Sequence, residues 1–553
     1  MSRNARPWGW VMVAGVVGVL AMGRAVEAGA QTKVVAGDGA ASAQFGRTVF
    51  ISGNTALLGA TQDDAPATDS GSAYIFANTS GNTWVQQAKL TASDAAASDE
   101  FGTSVSLSGN LALIGAELDD AGATDSGSAY VFANTSGSTW VQQAKLTASD
   151  GAATDYFGQA VSLSGNLAIV GSHLADAPAS DSGAAYIFAN TSGSTWTQQA
   201  KLTAFDAATL DYFGISVSIS GNMAAIGAFR DDAPATDSGS VYIFANTSGS
   251  TWVYQTKLTA SDAAASDEFG IYVSLSGNLV LVGAHYDDDG GSNSGSAYIF
   301  ANTSGNTWVQ QAKLTASDAA AGDEFGVSVL LSGNHAIVGA NQDDDGGTNT
   351  GSAYLFTNTS GNTWVQQSKI NAADAATGAG YGASFGFSVS LSGNTAVVGA
   401  TYSDAPATDS GSAYVFDLAS PASSGNLVIA TAGADFQAGG NTTLTIHVPD
   451  LLGRYPASSD NTTQITFSPT LSGNIIGIVS GNGDGGYGVT GGAETVTVAG
   501  GVATVRLSDL VADFVHRLKV DGEGDRRGLP WARPRPGLNG AGSGAVDPCW
   551  RRR

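Results

Sequence analysis

Carboxylates crowded into short loops are the residues of this chain with the most evident chemistry. Asp287-Asp288-Asp289-Gly290 and Asp343-Asp344-Asp345-Gly346 are the densest runs; sparser versions hold Asp63, Asp64 and Asp69, or Asp119, Asp120 and Asp125. Calcium takes about six to eight oxygen ligands, and adjacent aspartates with glycine turns can supply several. Asp287, Asp288, Asp289, Asp343, Asp344 and Asp345 are therefore the candidate metal ligands, with calcium the candidate ion and no other cofactor indicated. Their spacing fits no EF-hand loop, so a solvated acidic turn is the competing reading. Two further acidic series recur. One is Asp38, Asp94, Asp150, Asp206, Asp262, Asp318 and Asp374; the other is Asp99-Glu100, Asp267-Glu268 and Asp323-Glu324. Residues repeated in every copy read as structural, for example as Asx-type turn formers. Function belongs where copies differ, on loops. Tyr156 and Tyr212, which stand in the place of Glu100, and the insertion around Tyr381 are such differences.

Nucleophilic or acid–base machinery is harder to find. The histidines are His173, His285, His335, His447 and His516, with no His-x-x-x-His pair among them. Neither a strand-to-helix nucleophile elbow nor a phosphate-binding loop is found. His173 and His285 follow the same Gly-Ala or Gly-Ser position in different copies, which places them on one surface. No catalytic residue is assigned, and the chain is expected not to be an enzyme. The rival expectation is an enzyme that uses the repeats as a scaffold, with dispersed groups gathered at one mouth.

The elements that position these residues follow from a repeat. Phe-Gly recurs at Phe45, Phe101, Phe157, Phe213, Phe269, Phe325 and Phe385, five times at an interval of 56 residues and once at 60. Each copy predicts four strands. Val105 and Leu107 alternate with serines, Ser108-Gly109-Asn110 turns, and Leu111 to Gly115 forms an apolar run. After the Asp-rich loop come Ala129 to Phe132, a Thr135-Ser136-Gly137-Ser138 turn, and Trp140 to Leu146. Alternation with Gly-Asn turns is hairpin chemistry. Four strands in about 50 residues fit one blade of a β-propeller, whereas a solenoid coil is shorter and a sandwich needs about 100 residues. The prediction is an all-β chain with a seven-bladed β-propeller over residues 31–418.

Ring closure can be predicted too. Trp84, Trp140, Trp196, Trp252, Trp308 and Trp364 mark six outer strands against seven Phe-Gly units. Lys33 precedes Phe45 by the 12 residues that separate Lys89 from Phe101. Residues 31–34 should therefore supply the missing strand of the last blade and remove its open edge.

The Phe101-Gly102 pair, the Gly115-Ala116 pair and the Gly-Ser-Ala-Tyr that follows resemble the FG-GAP repeats that build the integrin α-subunit head. The resemblance implies a seven-bladed propeller, often extracellular and engaged in ligand binding or adhesion. One departure matters. Family members often carry an Asp-x-Asp-x-Asp-Gly calcium loop between the first two strands, where this chain has only Ser108-Gly109-Asn110. That calcium site is not carried over.

Composition sets the remaining limits. A net charge of −25 repels nucleic-acid phosphates and anionic lipid. Cys549 is the single cysteine, so neither an intrachain disulfide nor a cysteine zinc cluster can form. Arg3, Arg6, the uncharged run Val11 to Gly23 and Ala28-Gly29-Ala30 read as a signal peptide over residues 1–30, with an uncleaved anchor as the alternative. No second membrane segment is found. Residues 419–425 read as a linker, 426–512 as a smaller sandwich resembling bacterial immunoglobulin-like domains, and 513–553 as a basic disordered tail. The whole is expected to be a monomeric, secreted or cell-surface binding or adhesion protein for an extracellular protein or glycan. A structural surface-layer component is the third possibility.

Overall fold

Apolar runs on both faces of a strand require a neighbour on each side, and the repeat supplies one. The computed structural model describes residues 31–344, 347–374, 383–404 and 406–418, together with short strands after residue 425. Within the ring it contains seven four-stranded antiparallel sheets and no helix among the described residues. In blade 2 the strands are Val105–Ser108, Leu111–Ala116, Ser128–Ser136 and Thr139–Leu146. The second and third are almost wholly buried, which explains why they read as apolar runs rather than as alternation. The outermost strand alternates and leaves Val141 exposed. The third strand is longer than expected, because Asn134 to Ser136 stay in the ladder through a register shift and only Gly137 and Ser138 turn.

First strands line the central channel, a cavity of about 250 Å³. The core lies between blades rather than within them. Leu57, Ile75 and Leu90 of blade 1 pack with Phe101, Val105, Ile114 and Tyr130 of blade 2. Phe101 is fully buried, edge-on to Tyr130 at 5.5 Å and to Phe132 at 6.0 Å. Its partner Gly102 has φ +104°, and a Cβ on Gly115 would stand 2.0 Å from the Gly158 carbonyl oxygen of the next blade. The repeated glycines mark where two backbones nearly touch.

Alternating serines on the inner strands stitch the blades together. Ser106 Oγ accepts from Leu163 N at 3.0 Å, and Ser162, Ser218 and Ser274 do the same for Ile219, Leu275 and Leu331. Ser390 Oγ in the seventh blade accepts from Ile51 N in the first at 3.0 Å. Phe50 and Leu330 hold the equivalent positions in blades 1 and 6.

The predicted closure is found. Gln31–Val34 pairs antiparallel with Ser412–Asp417, in the register Gln31 with Phe416 and Val34 with Ala413. Thr32 Oγ1 also donates to Asn82 O at 3.0 Å, which ties this strand to blade 1.

Beyond the ring, a second unit holds short strands. Asn426–Leu427, Gln464–Phe467 and Ala503–Arg506 form one sheet; Thr442–Ile446, Phe514–Asp521 and Asn474–Asn482 form the body of another. Strand Phe514–Asp521 falls inside the stretch expected to be disordered. The segment read as a signal peptide, Asp345, the insertion at 375–382, the linker 419–425 and the tail after residue 521 lie outside the described residues.

Candidate functional site

Strand direction sorts the loops by face. Phe-Gly leads into each first strand and each second strand ends at Gly-Ala or Gly-Ser, so both long connections of every blade emerge on the same face. Among the described residues the turns of the opposite face are tight Ser-Gly-Asn and Asn-Thr-Ser-Gly turns. The Asp-rich loops, the residues before Phe-Gly and the residues after Gly-Ala therefore share the long-loop face.

Most of its carboxylates are occupied by the protein itself. Tyr130 Oη donates to Asp94 at 3.0 Å and to Asp119 at 2.5 Å, and Lys145 Nζ donates to both at 2.7 and 2.9 Å. The same cluster joins Asp38, Asp63, Tyr74 and Lys89 in blade 1 and Asp206, Asp231, Tyr242 and Lys257 in blade 4. Burial alone would raise Asp94; hydrogen bonds from Lys145 and Tyr130 outweigh it and hold the group below its ordinary value. Blade 3 has Ala175 and blade 7 has Ser403 at the place of the second carboxylate. The Asp38 series is thus structural, as an acceptor for a tyrosine and a lysine rather than as a simple turn former.

The metal candidates divide along the same lines. Asp287 and Asp343 are buried and accept from Tyr298 at 2.6 Å and from Tyr354 at 2.7 Å. Asp288 and Asp344 accept from the backbone N–H of Asn293 at 2.7 Å and Asn349 at 2.6 Å, closing their own loops. The three carboxylates brought together are Asp262, Asp287 and Asp289, with oxygens within 4.8 Å of one another. Lys313 Nζ sits among them, bonded to Asp262 at 2.9 Å, to Asp287 at 2.8 Å and to Asp289. A divalent ion there would share or displace a resident ammonium.

Groups that differ between blades gather at the channel mouth. The residue after Gly-Ala or Gly-Ser is Thr61, Glu117, His173, Phe229, His285, Asn341 or Thr401, a varied column of the repeat. Glu117 accepts from Thr103 Oγ1 at 2.9 Å and, with its amide oriented to satisfy both atoms, from Gln159. Burial pushes Glu117 up to about 7 and Glu268 up to about 7, and pushes His173 and His285 down to about 4. His285 Nε2 lies 3.6 Å from Glu268, a contact between largely neutral groups near pH 6. Tyr156, His173 and Tyr212 touch in series at 5.9 Å each, Tyr212 stacks on Phe229 at 5.5 Å, and Arg230 lies over both of those rings. The two tyrosines and His173 were legible in the sequence. Glu268 was read only as a member of a repeated acidic series; Glu117, Phe229 and Arg230 were not singled out, although the varied column after Gly-Ala would have found the first two.

One sector carries a paired departure. At other blades a glutamine of the outer strand accepts from the backbone N–H of a small residue: Gln86 from Gly37, Gln142 from Ser93, Gln198 from Ser149, Gln310 from Ser261 and Gln366 from Ser317, at 2.8–3.0 Å. In blade 4 both partners are replaced, by Phe205 and Tyr254, whose rings stand 4.9 Å apart. Phe205 is 67% exposed and Leu210, in the same connection, 43%. That connection runs from the outer strand ending at Leu202 to the inner Phe213, so along the chain it carries Phe205 near the rim and Tyr212 at the mouth.

No curated protein matches this sequence. Among solved structures, the periplasmic gluconolactonase PpgL of Pseudomonas aeruginosa is similar at 12% identity with a TM-score of 0.38, over 60% of this chain and 87% of that one. The FG-GAP repeat profile matches residues 29–76, 84–132, 140–188, 196–244, 252–300, 308–356 and 364–416. Those seven units equal the blades in number, each running from the outer strand of one blade through the first three strands of the next, and cover most of the chain, which belongs to the FG-GAP repeat family.

Proposed function

We propose that this is a secreted or cell-surface binding protein whose partner, an extracellular protein, docks on the long-loop face along blade 4. The observation that carries the reading is the coordinated replacement of a polar stitch by Phe205 and Tyr254, with Leu210, Tyr212, Phe229 and Arg230 on the same face. Aromatic and arginine side chains on one face, with Phe205 and Arg230 exposed, have the composition of an interface hot spot. Residues repeated in all blades serve the ring, so a patch found in one blade is free to serve a partner.

The test reverts the stitch. Phe205→Ser with Tyr254→Gln restores the pair used by the other blades and should leave the melting temperature unchanged. Against an array of extracellular proteins, binders of the parent should lose at least tenfold in affinity. Binders retained at full strength by the variant would refute the reading.

Calcium is a second reading, favoured by the convergence of Asp262, Asp287 and Asp289. Millimolar calcium should then raise the melting temperature, and more so in Lys313→Met, where the ammonium no longer competes. An unchanged melting temperature in both proteins would remove it.

A further inference from the structure

The tight-turn face holds a different kind of feature. Two grooves lie in successive seams between blades. One, of about 390 Å³, is lined by Asn110, Leu111 and Gln143 of blade 2 and by Asn166 with the turn 190–193 of blade 3. The other, of about 510 Å³, repeats the arrangement one blade on, with Leu167, Gln199, Asn222 and the turn 246–250. Both fall in the range of about 300–1,000 Å³ typical of small-molecule sites. No charged side chain lines either groove.

Each seam also contains buried polar atoms without a partner in the protein. Gln143 Oε1 and Gln199 Oε1 receive no donor; Trp196 Nε1 and Trp252 Nε1 find no acceptor. Trp196 packs in the same seam as Leu111, and Trp252 in the same seam as Leu167. A buried polar atom left unpaired costs about 1–3 kcal/mol, and in a native fold it calls for an explanation. The turn asparagines do not supply partners, because Asn190 and Asn246 donate their amides to Gly193 O and Gly249 O within their own turns. Those bonds also account for the recurring Asn-Thr-Ser triplets without attached sugar.

We propose that the two grooves are paired subsites for a neutral saccharide. A sugar hydroxyl can donate to the unpaired carbonyl of the glutamine that lines each groove. The leucine gives the apolar face of a sugar ring somewhere to rest. An ionic ligand would find no counter-charge in the lining. Two equivalent subsites one blade apart favour an oligosaccharide over a monosaccharide through effective concentration. This site does not depend on the blade 4 patch, which lies on the other face.

The experiment uses the full chain from a host without N-glycosylation, an array of neutral and anionic oligosaccharides, and saturation-transfer NMR on the hits. Neutral oligosaccharides should bind. Gln143→Met and Gln199→Met should each weaken binding about tenfold and together abolish it, with the melting temperature unchanged or higher, since an unpaired buried acceptor is replaced by an apolar group of similar length. The proposal is overturned if the parent binds no neutral saccharide at millimolar concentration. It is overturned equally if the double Gln variant binds like the parent, or if Phe205→Ser with Tyr254→Gln removes the sugar signal instead.

Discussion

A residue buried beside the channel behaves differently from the same residue in the repeated clusters. Glu117 has a folded value of about 7 against an ordinary 4.5. Between those values the folded chain holds more protons than the unfolded one, so this residue makes stability fall as pH rises from 4.5 through 7. Glu117→Gln should therefore melt higher than the parent at pH 8 and at the same temperature near pH 4. His173 and His285, held down to about 4 against an ordinary 6.5, act in the opposite sense: their contribution is present above 6.5 and is lost as pH falls toward 4. The lysine clusters offer an internal comparison. Lys145 faces the buried Asp119 and the half-exposed Asp94, whereas Lys201 has only Asp150, itself about half exposed. Lys145→Met leaves a buried carboxylate uncompensated and should cost about 2 kcal/mol, less than the loss from a fully buried pair. Lys201→Met should cost under about 1 kcal/mol, in line with exposed ion pairs. Chemical denaturation of the two variants measures the difference, and equal losses would contradict the pairing described here.

Elements were the most legible level. Four strands per repeat, their turns and the circular closure all follow from apolar runs, Gly-Asn turns and the offset of Lys33 from Phe45. The inner-strand serines were read as simple alternation, yet Ser106 faces the next blade and bonds its backbone. Nothing within one repeat reveals a partner 57 residues away. The ion pairs of the Asp-rich loops were hidden for a related reason. A lysine 26 residues downstream bonds to the carboxylate, as with Asp287 and Lys313, and only the antiparallel ladder brings the two together. Closure is the element-scale feature most open to test. Removing Gln31–Val34 exposes the edge of Ser412–Asp417, and the chain should then melt several degrees lower and self-associate. A monomer with the parent's melting temperature would show that the last blade needs no fourth strand.

At the scale of the whole molecule, seven near-identical blades make a uniform wheel, and function requires that the uniformity be broken. The long-loop face breaks it with the aromatic pair of blade 4 and an uneven set of acids and histidines round the mouth. The tight-turn face keeps its symmetry and offers repeated neutral grooves. Comparing the copies position by position would have exposed Phe205 and Tyr254 in the sequence as residues outside the repeat. That they form a touching pair on one face needed the fold. Amide hydrogen exchange, with and without the tightest extracellular protein partner, tests the central claim most directly. Protection should concentrate in residues 203–212 and 229–230. Protection spread evenly over all seven blades, or confined to the outer strands, would contradict it.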